Sequence, residues 1–160
     1  MEIRTGKLSD LDALAAVENE CFPPAEAASR ESIEQRLKVY ADHFWLLFDG
    51  DKLVSFVDGM VTDIPTLTDE MFADASMHNP KGEWQMIFGV NTIPSYRKQG
   101  CAAILIEKAI SDAKQQGRKG LVLTCKDKLV HYYAKFGFVN EGVSGSEHGG
   151  VTWYQMRLTF

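Results

Sequence analysis

The stretch Val90–Ile110 reads VNTIPSYRKQGCAAILIEKAI, and its interpretation decides the fold. A strand leads into Thr92, Pro94 interrupts it, and Ala102, Leu105, Ile106, Ala109, Ile110 and Ala113 then recur at helical spacing until Gly117 stops the helix. Between strand and helix lies the turn Arg97-Lys98-Gln99-Gly100-Cys101-Ala102. Such a turn points backbone N–H groups outward at the positive end of a helix dipole, a site suited to a pyrophosphate. Gly100 permits close approach, Ala102 keeps the next position small, and Arg97 and Lys98 add positive charge. R-x-x-G-x-A is a weak pattern by itself, equally compatible with a plain strand–turn–helix crossover. It is neither the P-loop nor the dinucleotide fingerprint, which argues against nucleoside triphosphates and NAD.

Working outward, WQMIFGVNT (84–92) predicts one strand with Gly89 inside it, where a bulge or close backbone approach fits. Downstream, LVLTC (121–125) reads as a short buried strand, and DKLVHYYAKF (127–136) as a helix ended by Gly137. Strands at about 138–143 and 151–160 follow, with Tyr154, Met156, Leu158 and Phe160 facing inward. Upstream, residues 2–5 suggest a strand. Ser9 is placed to cap a helix bearing Leu11, Leu14, Val17 and Cys21, ended by Pro23 and Pro24. A second helix spans Ser29 to Tyr40, and residues 44–61 form a hairpin around Asp49-Gly50-Asp51-Lys52. Residues 62–82 predict a long loop with a short helix near Thr68 to Phe72. This order implies a mixed α/β sheet with helices on both faces.

One domain over residues 1–160 is expected, because no linker or repeat divides the chain. The longest apolar run, Phe44–Phe48, is far short of the ~20 residues a membrane helix needs. Without an apolar N-terminal leader the expected location is cytoplasmic. Cys21, Cys101 and Cys125 are too scattered for a disulfide framework or a zinc site, so no metal is expected. The net charge of −5 argues against nucleic-acid binding and suits a cationic or neutral partner.

The run 90–110, followed by a strand and then YYAKFGF (132–138), resembles the acetyl-CoA-binding core of the GNAT superfamily of N-acetyltransferases. That family's turn reads [Q/R]-x-x-G-x-[G/A], matched by Arg97, Gly100 and Ala102. More narrowly, ENECFPPAEAAS (18–29), LTCKDKLVHYYAKFGFVN (123–140) and SEHGGVTWYQM (146–156) resemble the microbial arylalkylamine (serotonin-type) N-acetyltransferases. The resemblance implies a mostly antiparallel sheet with a splayed central strand pair. It also implies acetyl-CoA as co-substrate and direct attack by a small primary amine in a ternary complex. Pantetheine would lie along the strand at Phe88, Val90 and Thr92. The pyrophosphate would lie on Arg97, Lys98, Gln99, Gly100, Cys101 and Ala102.

Tyr133 matches the family's general acid; a phenol stays protonated at neutral pH and can supply a departing thiolate. The alternative is a tyrosine packed on the core with its hydroxyl merely satisfied. Animal relatives take the amine proton with two histidines one residue apart, and here Met86 and Phe88 fall at those positions. Glu26 matches a carboxylate near the acceptor in related enzymes, as base or as a solvated first-turn residue. His78 and His148 stay open as bases, whereas His43 and His131 read as structural. The acceptor pocket is expected from the first helices, the 62–82 loop and the loop around His148. Asp58, Asp63, Asp69, Glu70 and Asp74 either draw in a cationic amine or are simply solvated. A protein or peptide N-acetyltransferase and a non-catalytic acyl-CoA-binding module remain alternatives, and a homodimer stays open.

Overall fold

The computed structural model describes all of residues 1–160. The elements are β1 (Glu2–Thr5), α1 (Leu11–Cys21), α2 (Arg30–Tyr40), β2 (Phe44–Asp49), β3 (Lys52–Asp58), β4 (Val61–Thr62) and α3 (Asp69–Ala73). Then come β5 (Trp84–Ile87), β6 (Gly89–Thr92), α4 (Cys101–Gln115), β7 (Gly120–Cys125), α5 (Val130–Ala134), β8 (Val139–Val143) and β9 (Tyr154–Thr159). No helix is long and apolar enough to cross a membrane.

The strands form two sheets, ordered β1-β2-β3-β6 and β4-β5-β7-β9-β8. All pairings are antiparallel except β5 with β7. Adjacent residues of a strand point to opposite faces, and β2 shows what covers each one. Phe44 stacks near Tyr40 of α2, while the Trp45 indole donates to Asp112 Oδ2 of α4 at 2.8 Å. Helices α2 and α4 therefore cover opposite faces. The core is continuous, with Leu14, Tyr40, Phe44, Phe56, Met86, Leu105 and Met156 fully shielded.

The segment expected as one strand over 84–92 is two. It breaks at Phe88, opposite a second break at Gly59-Met60 between β3 and β4. One long hairpin is thus shared between the sheets, and polar side chains supply the hydrogen bonds lost at the fault. Asp58 Oδ1 accepts the Gly89 N–H at 3.2 Å, and Gln85 Nε2 donates to the carbonyls of Gly59 and Met86 at 2.9 and 2.7 Å. Gly59 is required here, because a Cβ would sit 1.8 Å from the Met86 carbonyl oxygen. Past the break β6 stays with β3 while β7 continues with β9, so a gap opens between β6 and β7.

Several local expectations are corrected. Ser9 caps nothing; it lies in a 3₁₀ turn (Leu8–Asp10), where Asp10 accepts the Lys7 N–H at 2.8 Å and pairs with Arg4. The helix over 127–136 is a 3₁₀ turn at Asp127–Leu129 followed by the single short α5. The last strand starts at Tyr154, and only Met156 of its expected inward set is fully buried; Phe160 is 42% exposed. On α4 the buried stripe includes Cys101, with Ala102 and Ile110 at its margin. Helix α2 agrees with the sequence: Ser29 caps it by accepting the Ser32 N–H at 3.1 Å.

Candidate active site

The edge of β6 that faces the gap carries free backbone groups. Ile93 donates to the Val54 carbonyl at 3.0 Å, which fixes the phase of the β3–β6 ladder. Alternation then turns the peptide groups of Val90 and Thr92 away from β3, toward the gap. The Phe88 N–H is engaged elsewhere, donating to the Asp58 carbonyl at 2.7 Å. The Thr92 carbonyl already receives Arg97 Nε at 3.0 Å and the Cys21 thiol at 3.3 Å, leaving Val90 as the fully open rung.

At the end of that edge is the turn into α4. Gly100 has φ +82°, and Lys98 is also left-handed at φ +63°. No side chain caps the helix, and its first backbone bond runs from Ile104 to Gly100. The N–H groups of Cys101, Ala102 and Ala103 therefore lack backbone partners. Open space surrounds Gly100. Arg97, Lys98 and Gln99 are exposed beside it, while the Cys101 thiol is buried and turned back toward the Tyr96 carbonyl. Free amides at a helix start and flanking cations fit a pyrophosphate, and an open strand edge fits a pantetheine arm.

The gap opens into a cavity of about 290 Å³. Its walls come from α1, α2, α3 and the 144–150 loop, where an acceptor pocket was expected, and also from β5–β6, the end of β7 and α5. Phe22, Phe72, Phe88 and Trp153 supply aromatic surface, and Glu18, Glu26 and Asp69 supply carboxylates. The expected acidic cluster is thereby dispersed. Asp58 is buried on Arg36, Asp63 ties down Asn79 and the Glu83 N–H, and Asp74 caps Ser76. Only Asp69 of that group reaches the cavity.

Tyr133 is buried at the cavity wall, and its hydroxyl has no hydrogen-bonding partner in the protein. Burial, with Cys125 and Tyr132 nearby, pushes the phenol well above its ordinary value, so it remains a proton donor. Tyr132 leans edge-on against Phe136 and does not line the cavity.

Glu26 lies on the cavity wall under the 144–150 loop, its Oε1 2.7 Å from Lys126 Nζ. The Glu26 carbonyl is 2.8 Å from His148 Nε2. A carbonyl only accepts, so that nitrogen carries the hydrogen, and the imidazole stacks on Phe72. His78 is outside the cavity. Its Nδ1 accepts the Val61 N–H at 3.0 Å, and burial and His43 lower it to about 4, which makes it a packing group. His43 is likewise structural, bonded to Gln85 at 2.9 Å. Met86 is in the core, and Phe88 packs on Phe72 with its ring centroid 4.5 Å away.

Glu18, which the sequence reading passed over, is 5% exposed and lines the cavity. Its Oε2 accepts the Ala28 N–H at 2.9 Å, and Oε1 is beside the Cα of Gly89, 3.5 Å from where a Cβ would be. Desolvation raises its carboxyl to about 7, helped by Asp58 and opposed by the Ala28 N–H, Arg36 and Asn91. Its sequence signal was available: four residues after Leu14, it occupies a position of the apolar stripe of α1.

A family profile described as an acetyltransferase (GNAT) domain matches residues 10–160. The serotonin N-acetyltransferase of Mesocricetus auratus is 27% identical over 166 aligned positions, spanning 91% of this chain and 79% of that protein. Among solved structures, the GphF GNAT-like decarboxylase in complex with isobutyryl-CoA superposes with a TM-score of 0.86 at 20% identity, covering 99% of each chain. The ribosomal-protein-S18-alanine N-acetyltransferase from Escherichia coli gives 0.73 at 16% identity, covering 99% of this chain and 92% of that one. At those identities the structures speak for the fold, and the profile speaks for the lineage: the chain belongs to the GNAT acetyltransferase family.

Proposed function

We propose that this enzyme transfers the acetyl group of acetyl-CoA to a small primary amine with an apolar, arylalkyl-like body, by direct attack in a ternary complex. The observation that carries the reading is that one cavity receives the open edge of β6, the free hydroxyl of Tyr133 and an aromatic wall edged with carboxylates. In this arrangement Val90 and Thr92 offer backbone groups to the pantetheine arm, and Arg97 to Ala102 offer amides and cations to the pyrophosphate. The aromatic rings hold the body of the amine, and the carboxylates attract its ammonium group.

Tyr133 supplies the proton that the leaving sulfur takes, since it lines the cavity and its hydroxyl makes no hydrogen bond within the protein. Glu26 acts as a positioning residue. Lys126 already neutralises its charge, and its carbonyl anchors His148, so it holds the loop over the acceptor.

The experiment is acetyl-CoA turnover over a panel containing phenylethylamines, indole-ethylamines, polyamines and short peptides with free N-termini. Aryl-ethylamines should give the highest kcat/KM. Preference for the peptides would move the enzyme to the protein N-acetyltransferases, and acetyl-CoA binding without turnover would make it a binding module.

A further inference from the structure

Resting on that reading, we propose that Glu18 is the catalytic base, taking the proton from the acceptor ammonium at the mouth of the β6–β7 gap. The other candidate bases are each engaged at one atom or stand outside the cavity, and none is among the atoms nearest to Gly89. Glu26 pairs with Lys126, the His148 imidazole is tethered to the Glu26 carbonyl, and His78 is outside the cavity. Met86 and Phe88 carry no proton. Glu18 alone combines burial, a wall position and adjacency to Gly89, where β6 begins to part from β7.

The surroundings of Glu18 are built to hold a carboxylate still. On one oxygen the Ala28 N–H fixes its rotamer. From β3, Asp58 faces it with like charge, and from α2, Arg36 faces it with opposite charge. Those two are themselves locked together, Arg36 Nη1 donating to Asp58 Oδ2 at 3.1 Å. From β6 comes only the neutral, fully buried amide of Asn91, and on α1 itself the Cys21 thiol. Asp58 and Arg36 act on Glu18 in opposite directions, and desolvation, the largest influence, raises its carboxyl to about 7. A base in that range accepts a proton readily and returns it to water easily.

The step balances as follows. The ammonium gives one proton to the Glu18 carboxylate, and the freed lone pair forms the C–N bond at the thioester carbonyl. The C–S bond breaks with its electron pair on sulfur, which takes the Tyr133 proton. The surplus proton on the new amide nitrogen restores the phenol, and Glu18 releases its proton to water.

The test is kcat against pH, at saturating acetyl-CoA and amine, for wild type and Glu18→Gln. Gln retains an oxygen for the Ala28 N–H, so acetyl-CoA should still raise the melting temperature. Wild type should show an inflection near pH 7. Glu18→Gln should lose both the inflection and ~10²- to 10⁴-fold in kcat, the usual range for a positioned base. A kcat close to wild type with the inflection intact would overturn the assignment, whereas no turnover of any amine by wild type would overturn the proposed function itself. Should Glu18→Gln fail to fold, Glu18→Asp decides. It keeps the charge and withdraws it by one methylene, so kcat should fall while the inflection persists. Full kcat in that variant would equally remove Glu18 as base.

Discussion

A carboxyl held at about 7 is out of equilibrium with its preference in water, and the fold bears the cost. The sign follows from proton binding. Between pH ~4.5 and ~7 the folded chain keeps a proton on Glu18 that the unfolded chain has lost, so this contribution is full below ~4.5 and lost by ~7. The size is roughly 3 kcal/mol for a shift of that span. Glu18→Gln should therefore be more stable than wild type at pH 8 by up to roughly that amount, with little difference at pH 4.5. Urea unfolding at both pH values checks this, and equal gaps at the two would contradict it. Tyr133→Phe is the second expectation at this scale. Losing a hydroxyl that bonds to nothing in the protein should leave stability within ~1 kcal/mol of wild type. If the hydroxyl donates in the transition state, kcat should fall ~10²- to 10⁴-fold while the KM for acetyl-CoA barely moves. Tyr132→Phe is the control, because that ring is off the cavity wall.

At the scale of elements, the turn into α4 does two things that one glycine substitution cannot separate and two can. Gly100 is left-handed, with φ +82°, and nothing lies within 4 Å of where its Cβ would go. Gly100→Ala should therefore cost ~1 kcal/mol through backbone strain alone and keep the response to acetyl-CoA. Gly100→Glu adds a negative side chain facing the proposed pyrophosphate position. A ligand at ~100 times its dissociation constant adds about 2.7 kcal/mol of stability, and most of that gain should vanish in the glutamate variant. Thermal melts with and without acetyl-CoA distinguish the two, and an undiminished shift in Gly100→Glu would remove the turn from the site. This turn was legible because its chemistry is local: a proline, a glycine and a periodic helix within about twenty residues. The break at Phe88 was legible only as an expected irregularity at Gly89, not as a division of the strand between two sheets. It depends on Gln85 reaching back to the Gly59 carbonyl and on Asp58 answering for Gly89, contacts that no window of strand residues displays. Glu18 was legible only as a position on the apolar stripe of α1; that it is a buried carboxylate at a cavity wall depends on α2 and β3 packing against that helix.

At the scale of the molecule, the cavity is shut by segments far apart in sequence, and one exposed carboxylate joins them. Asp69, at the start of α3, accepts from the Ser146 hydroxyl and, at 3.0 Å, from the Glu147 N–H. The 144–150 loop is further pinned by His148 on the Glu26 carbonyl and by the Trp153 indole on the His148 carbonyl at 2.7 Å. Its backbone also turns through left-handed Gly149, and a Cβ there would sit 2.7 Å from Glu26 Cγ. The loop is thus held over Glu26 by several contacts, two of which end on Asp69. The turn from Arg97 to Ala102 is not among the cavity's lining residues, so loosening the loop should act on the acceptor and spare the co-substrate. Asp69→Ala removes both acceptor oxygens at an exposed position, where the loss should be nearer ~1.4 kcal/mol than the 3 or so of a buried charged bond. That corresponds to about a tenfold rise in the KM of the amine, with the KM of acetyl-CoA unchanged. Limited proteolysis should show earlier cleavage within 144–150 in the variant, and saturating amine should slow it. Unaltered acceptor KM together with wild-type proteolysis would mean that the loop seats without Asp69 and that the carboxylate is only solvated.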